Sequence, residues 1–287
     1  MTFCDLSVTL AVMLRIAYGE ANFENLRKDK SFFVDKTHFI PLMEKYKKFF
    51  FIRPRRFGKS LWISVLMAYY DINGNDKFDK LFDGLYIQKN PTEYKSSYLV
   101  LKLDFSGMNT ANMESLQKDF HYRVRASIKE VFSTYISLLG KESYKTFLEK
   151  SENMLISQMI NELKSAAMES GQKIYTFIDE YDHFANKLAS EGRETFVKDL
   201  VSRTGFVREF YEQMKIASGE GALERFYITG VSPIMLDELS SGFNIMSDMT
   251  THLNFNEMLG FTEGEVKDVL DKVSDSCYTD KNKEEVL

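Results

Sequence analysis

Short apolar runs of strand length alternate along this chain with longer stretches in which apolar residues recur every three or four positions. Lys48 to Ile52 (KFFFI) is a run suited to a strand buried on both faces. Tyr98 to Phe105 (YLVLKLDF) predicts a second strand, closed by Ser106-Gly107, and Ile174 to Ile178 a third, ending in Asp179-Glu180. Phe226 to Ile228 predicts a fourth, ending at Thr229-Gly230, and a weaker fifth is expected around His252 to Phe255. Phe32 to Val34 reads as a short strand or entry segment leading into a helix around His38 to Tyr46.

Between these runs, Leu61 to Tyr70 predicts a helix stopped by Asn73-Gly74-Asn75. From Asn109 to about Ser170 the pattern is helical, an insertion spanning residues 109–170. Leu155, Met159, Leu163 and Ala167 fall on one helix face, with Ser151 as a candidate N-cap and Gly171 as the stop. Apolar strands alternating with helices predict an α/β domain with a mainly parallel central sheet flanked by helices. The early run Leu6 to Leu14 (LSVTLAVML) has only Asp5 before it and falls far short of the roughly 20 residues of a bilayer span. It reads as a packed helix or strand, and no membrane association is expected.

Lys48 to Ile52 runs directly into Arg53-Pro54-Arg55-Arg56-Phe57-Gly58-Lys59-Ser60, and the Leu61 helix follows. Gly58-Lys59-Ser60 is the tail of the phosphate-binding pattern G-x-x-x-x-G-K-[ST] in the strand–loop–helix setting that the pattern needs. Such a loop turns backbone N–H groups inward around phosphate oxygens, and the helix N-terminus adds its positive end. Gly58 allows close backbone approach, Lys59 supplies charge to the β and γ phosphates, and Ser60 offers a hydroxyl to Mg²⁺. Arg53 stands where the first glycine of the pattern would be, so loop shape falls to Pro54 and Phe57. The candidate phosphate-loop residues are therefore Arg53, Pro54, Arg55, Arg56, Phe57, Gly58, Lys59, Ser60 and Leu61.

The acid pair at the end of the third strand is the second half of such a site. Asp179 would support Mg²⁺ together with Ser60, and Glu180 would orient or deprotonate an attacking water, with Lys59 its catalytic partner. Thr229 is either a sensor of the γ-phosphate or a satisfied strand-end threonine. Asp182, His183 and Asp104 are either supporting groups or ordinary polar residues beside strand ends.

Length and charge narrow the picture. The chain has 287 residues, which suits one large domain with insertions. Its formal charge of −5 argues against a general polyanion binder. Six of the twelve residues from Lys45 to Arg56 are basic, but half lie inside the phosphate loop, so direct nucleic-acid binding is not expected. The two cysteines, Cys4 and Cys277, cannot make a disulfide framework, which makes reduced cytoplasm the simplest setting. The cysteines and the four histidines show no metal-ligand spacing.

The strings RPRRFGKS and IDEYDH, with FFVDKT, ITGVS and LGFTEGEV, resemble the bacterial AAA-ATPase-like family over about Ala21 to Val269. The resemblance implies a P-loop NTPase fold and a Walker A and Walker B site in which a missing first glycine is usual. By matching position it assigns Lys59 and Ser60 to nucleotide and Mg²⁺, Asp179 and Glu180 to the Walker B pair, and Thr229 to the strand-end position. It implies ATP rather than GTP, since no N-K-x-D motif follows the fourth strand. Members of the family often carry a PD-(D/E)XK nuclease-like domain, for which the 18 residues after Val269 are too few. Residues 1–20 do not look like the family's usual start, and residues 270–287 form a tail, so the chain is either a truncation or a stand-alone module. The expected activity is hydrolysis of MgATP to drive a conformational change. The alternative is a nucleotide-dependent regulatory switch or interaction module with little turnover, with a link to nucleic-acid processing left open. A homo-oligomer, a protein partner or a separate nuclease-like domain all stay open, as does the source of any arginine finger among Arg193, Arg203, Arg208 and Arg225.

Overall fold

The computed structural model describes residues 15–193, 205–233 and 245–277, and the apolar Leu6–Leu14 run, Cys4 and Arg203 lie outside them. A five-stranded sheet organises the chain: β1 (Lys48–Ile52), β2 (Leu99–Asp104), β3 (Ile174–Asp179), β4 (Leu223–Gly230) and β5 (Ser247–Asp248). The order across the sheet is β2-β3-β4-β1-β5, and every pairing is parallel. This is the α/β fold of a P-loop NTPase. Parallel neighbours need crossover connections, and the helices that make them cover both sheet faces.

Alternation along the strands divides the core in two. Phe50, Leu101, Leu103, Ile178 and Ile228 face one layer, built from Met113–Thr134, Ile156–Glu169, His183–Ser190 and Phe206–Gly219. Phe49, Phe51, Val100, Tyr175, Phe177 and Tyr227 face the other, where the Lys59–Tyr70 helix lies. The helical stretch expected over 109–170 is the crossover from β2 to β3. Its Leu116, Phe120, Val124 and Ile128 are buried at helical spacing against the sheet.

Three local expectations change. The weak strand at His252 to Phe255 is instead a 3-10 turn, Leu253–Phe255, and the edge strand is Ser247–Asp248, too short and polar to leave a pattern. The apolar signal came from Phe255, whose ring meets Phe49 edge-on at 4.8 Å. Among the described residues Phe32 to Val34 is an entry segment, with Phe33 packed on Phe23 at 5.3 Å, and the helix after it is only Thr37–Phe39 followed by Ile40–Met43. Ser151 closes the Lys141–Lys150 helix rather than capping the next one, its N–H donating to Phe147 O at 2.9 Å. The Ile156–Glu169 helix starts instead at exposed Leu155, whose N–H donates to Gln158 Oε1 at 2.8 Å.

β4 begins earlier than its apolar pattern because Glu224 and Arg225 are accommodated. Arg225 is buried: Nε donates to Tyr98 Oη at 3.0 Å, Nη1 to Glu44 O at 3.0 Å, and the guanidinium lies 4.4 Å from the Tyr94 ring centre. Arg225 is therefore enclosed in the fold and not available as an arginine finger. Replacing it with Leu leaves the Glu44 carbonyl and Tyr98 hydroxyl short of a donor. Arg225→Leu is expected to cost about 1–3 kcal/mol in urea unfolding, while nucleotide affinity holds.

Candidate active site

The loop after β1 and the acids after β3 meet at the carboxyl edge of the sheet. β4 lies between those strands and sets the spacing, with Arg53 N–H donating to Gly230 O at 3.2 Å and Tyr181 N–H donating to Thr229 O at 3.2 Å. Thr229 is fully buried, and its hydroxyl donates to Phe51 O at 2.6 Å, tying β4 to the base of the loop. Arg53 does the same on the other side. Its Nη1 donates to Ile52 O at 3.0 Å and Thr250 O at 2.8 Å, and its guanidinium stacks 4.0 Å from the Phe51 ring centre. Burial holds this guanidinium below its ordinary value.

Pro54, Arg55, Arg56 and Phe57 are exposed along the loop, and Leu61 is half-buried. Arg56 and Gly58 carry positive φ of 68° and 85°, the alternating backbone that aims successive N–H groups into a concavity. Gly58 meets the left-handed requirement without a Cβ cost. The Lys59–Tyr70 helix starts there with no side-chain cap, so its first N–H groups have no intrahelical partner. Uncapped donors at a helix N-terminus are the arrangement that an anion site uses.

Lys59 is buried, with Nζ donating to Pro54 O at 3.2 Å and standing 4.0 Å from Glu180 Oε1. The Ser60 side chain lies beside the Asp179 carboxylate, which accepts from Glu180 N–H at 3.0 Å. Burial pushes the Asp179 carboxyl above its ordinary value; neighbouring Ser60 and Lys102 pull it down, and Asp104, its register partner on β2, pushes it up. Glu180 sits at φ 51°, a left-handed conformation that costs a non-glycine residue about 1–3 kcal/mol. Lys59, Ser60, Asp179 and Glu180 are thus brought together. Ser60 and Asp179 present hard oxygens, the donor set suited to Mg²⁺ completed by phosphate and water. Among the described residues no cluster of three or more His, Cys, Asp or Glu could hold a metal by itself.

Several features carry little or no sequence signal, and for Asp182 the sequence leaves open a supporting group or an ordinary polar residue. Asp182 is fully buried and accepts from Val231 N–H at 3.1 Å, Ser232 N–H at 2.6 Å and Asn186 Nδ2 at 2.6 Å. A methyl at Gly230 would overlap that carboxylate and come within 2.6 Å of Tyr181 Cδ1, so only glycine fits. A cavity of about 210 Å³ opens beside the loop, lined by Phe33, Arg56, Phe57, Trp62, Val65 and Met258 among others. Trp62 is buried, and its indole N–H has no partner in the structure. The cavity's far wall is held by Gly260 N–H donating to Phe57 O at 3.1 Å and by Lys36 Nζ at 2.5 Å from Glu265 Oε1. That pairing holds the Glu265 carboxyl below its ordinary value despite partial burial. Pocket lining drawn from four distant segments leaves no motif. The only hints were FFVDKT and LGFTEGEV, which carry Lys36 and Glu265.

A family model described as "Predicted AAA-ATPase" matches residues 17–240, and the chain belongs to that AAA-ATPase-like family. It is also similar to a protein of Azotobacter chroococcum described as "Uncharacterized protein in vnfD 5'region", 24% identical over 259 residues. The match covers 88% of this chain and 44% of that protein, so the chain spans less than half the length of its curated relative. Among the described residues no helix is long and apolar enough to cross a membrane.

Two outcomes follow from this geometry. Gly230→Ala forces the Asp182 carboxylate and the Tyr181 ring apart and is expected to cost about 1–3 kcal/mol of stability in chemical unfolding. For Asp179 the folded-state value is raised, so its favourable contribution is complete below its unfolded value and is lost as pH rises through the folded one. Asp179→Asn should therefore raise the Tm of the free chain near neutral pH. The gain should shrink as pH falls towards the ordinary aspartate value of 3.8, which thermal melts across pH will read.

Proposed function

We propose that the chain binds MgATP between the Arg53–Ser60 loop and the Asp179–Glu180 pair and hydrolyses it to ADP and phosphate, driving a conformational change. The observation that carries this reading is the convergence of Lys59 with Glu180 and of Ser60 with Asp179 at one sheet edge. Backbone N–H groups of Arg56 to Leu61 cradle the phosphates. Lys59 leaves Pro54 O and neutralises the β and γ oxygens. Ser60 and Asp179 hold the Mg²⁺, which when bound offsets charge on the transferring phosphoryl group. Glu180 orients water for in-line attack and accepts its proton. Thr229 acts through β1, holding the floor of the loop by its bond to Phe51 O.

The cavity beside the loop suits a purine ring. It is mostly apolar, its size fits a planar base rather than a whole nucleotide, and it is continuous with Arg56, Phe57 and Gly58. On binding, the Trp62 ring would turn to bring its enclosed, unpaired N–H to a ring nitrogen acceptor. Turnover by a single chain is expected to be slow. Arg225 is enclosed, Arg208 Nε pairs with Glu212 Oε1 at 2.9 Å, and Arg193 Nη1 donates to Thr110 O at 2.7 Å. With these three candidates among the described residues engaged, a neighbouring copy or partner would supply the arginine that stabilises developing charge unless Arg203, outside them, does so. A cytoplasmic setting follows from the thiols as read above.

Trp62 is the sole tryptophan, so its fluorescence reports nucleotide binding directly. Lys59→Ala should weaken MgATP by about 10–100-fold in that titration. Glu180→Gln should bind normally while single-turnover hydrolysis falls by about 10²–10⁴-fold. Trp62→Phe, followed by calorimetry, should weaken ATP by about 3–10-fold while sparing inorganic triphosphate. A wild type that binds no MgATP, or a Lys59→Ala chain that binds as well as wild type, would contradict the reading.

A further inference from the structure

Glu180 has two neighbours of different permanence. Its Oε1 stands 4.0 Å from Lys59 Nζ, and its Oε2 stands 3.5 Å from Nδ1 of His183. Under the ATPase reading the triphosphate claims Lys59. Glu180 then loses one of its two contacts when its carboxylate must be held on the attacking water.

The other neighbour is fixed in place. His183 opens the His183–Ser190 helix, whose Phe184, Ala185 and Leu188 are buried in the core. The residue before it, Asp182, is fully buried and bonded to Val231, Ser232 and Asn186. His183 N–H donates to Glu180 O at 3.0 Å, and Glu180 N–H donates to Asp179 Oδ1 at 3.0 Å, so the turn from 179 to 183 closes on itself. That closure sustains Glu180 at φ 51° and directs its side chain between the lysine and the imidazole.

We propose that His183 is the positioning residue for Glu180. The tautomer protonated at Nδ1 donates to Oε2, and this contact keeps the carboxylate in place after Lys59 leaves Oε1 for phosphate. Oε1 is then free to accept from water. Nothing is transferred to or from the imidazole: the proton from water goes to Glu180, and His183 sets only where that acceptor stands. A contact of 3.5 Å in the free chain is of the kind that shortens when substrate arrives. The inference rests on the proposed hydrolysis and adds a residue to it.

The test is single-turnover hydrolysis beside MgATP affinity from Trp62 fluorescence, for wild type, His183→Ala, His183→Asn and His183→Gln. Asparagine places an amide N–H where Nδ1 stands, whereas glutamine places one nearer the position of Nε2. His183→Ala and His183→Gln should turn over about 10–100-fold more slowly, as expected for a misplaced acceptor. Their affinity should stay within about threefold of wild type, the signature of an interaction made only in the transition state. His183→Asn should recover most of the rate. In the free chain, nitrogen NMR should find His183 protonated at Nδ1, and Glu180→Gln should shift that tautomer. Equal turnover by His183→Ala and wild type would overturn the inference while leaving the ATPase reading intact. Loss of affinity in all three variants, or no rescue by asparagine, would overturn it by making the role structural. A wild type without turnover would sink the ATPase reading first, and this inference with it.

Discussion

The placing of Ser60 beside the buried carboxylate of Asp179 is the juxtaposition on which the candidate site depends. It joins the first turn of one helix to the end of a strand two places across the sheet, and it holds only if β1, β4 and β3 finish level. The structure secures that level in depth. Thr229 bonds to Phe51, Arg53 to Gly230 and Tyr181 to Thr229, so the middle strand is fastened to both neighbours at the edge where the chemistry is expected. Burial that destabilises the Asp179 anion is the cost of this arrangement, and a bound cation would relieve it. The residue that strains the free fold is the one that would hold the metal.

Around this contact the chain spends conformational freedom locally. Gly58 and Arg56 take left-handed backbone to aim N–H groups inward, and Glu180 takes it to turn its carboxylate back towards Lys59. Asp182 and the missing side chain at Gly230 lock the β3 and β4 exits together. The segments Val34–Thr37 and Leu259–Glu265, far apart in sequence, close the cavity beside the loop through Lys36 and Glu265. Through Glu265 the same ion pair ties this cavity to the helix Glu263–Cys277.

The legible parts of the sequence were those whose physics is local. KFFFI, YLVLKLDF and IYTFID are strands because apolar runs of that length, punctuated by loops, have little alternative, and their ends fall within a residue or two of expectation. GKS and DE could be paired because each sits at the carboxyl end of such a strand. What failed was long-range. Ser247–Asp248 is a strand only because Phe49 and Phe50 offer it an edge, and Phe255 imitates a strand residue because it packs on Phe49. Arg225 inside β4 is tolerated by Tyr98, Glu44 and Tyr94, residues that no pattern along β4 reveals. The cavity beside the loop belongs to the same class, being a property of assembled segments.

The most direct measurement of the central claim is calorimetric titration of ATP with and without Mg²⁺, on wild type and on Asp179→Asn. The account predicts one site per chain in wild type, tighter with Mg²⁺, and an Mg²⁺ increment that disappears in Asp179→Asn while metal-free binding through the loop survives. An increment that persists undiminished in Asp179→Asn would place the metal elsewhere and contradict the pairing of Ser60 with Asp179 as the heart of the site.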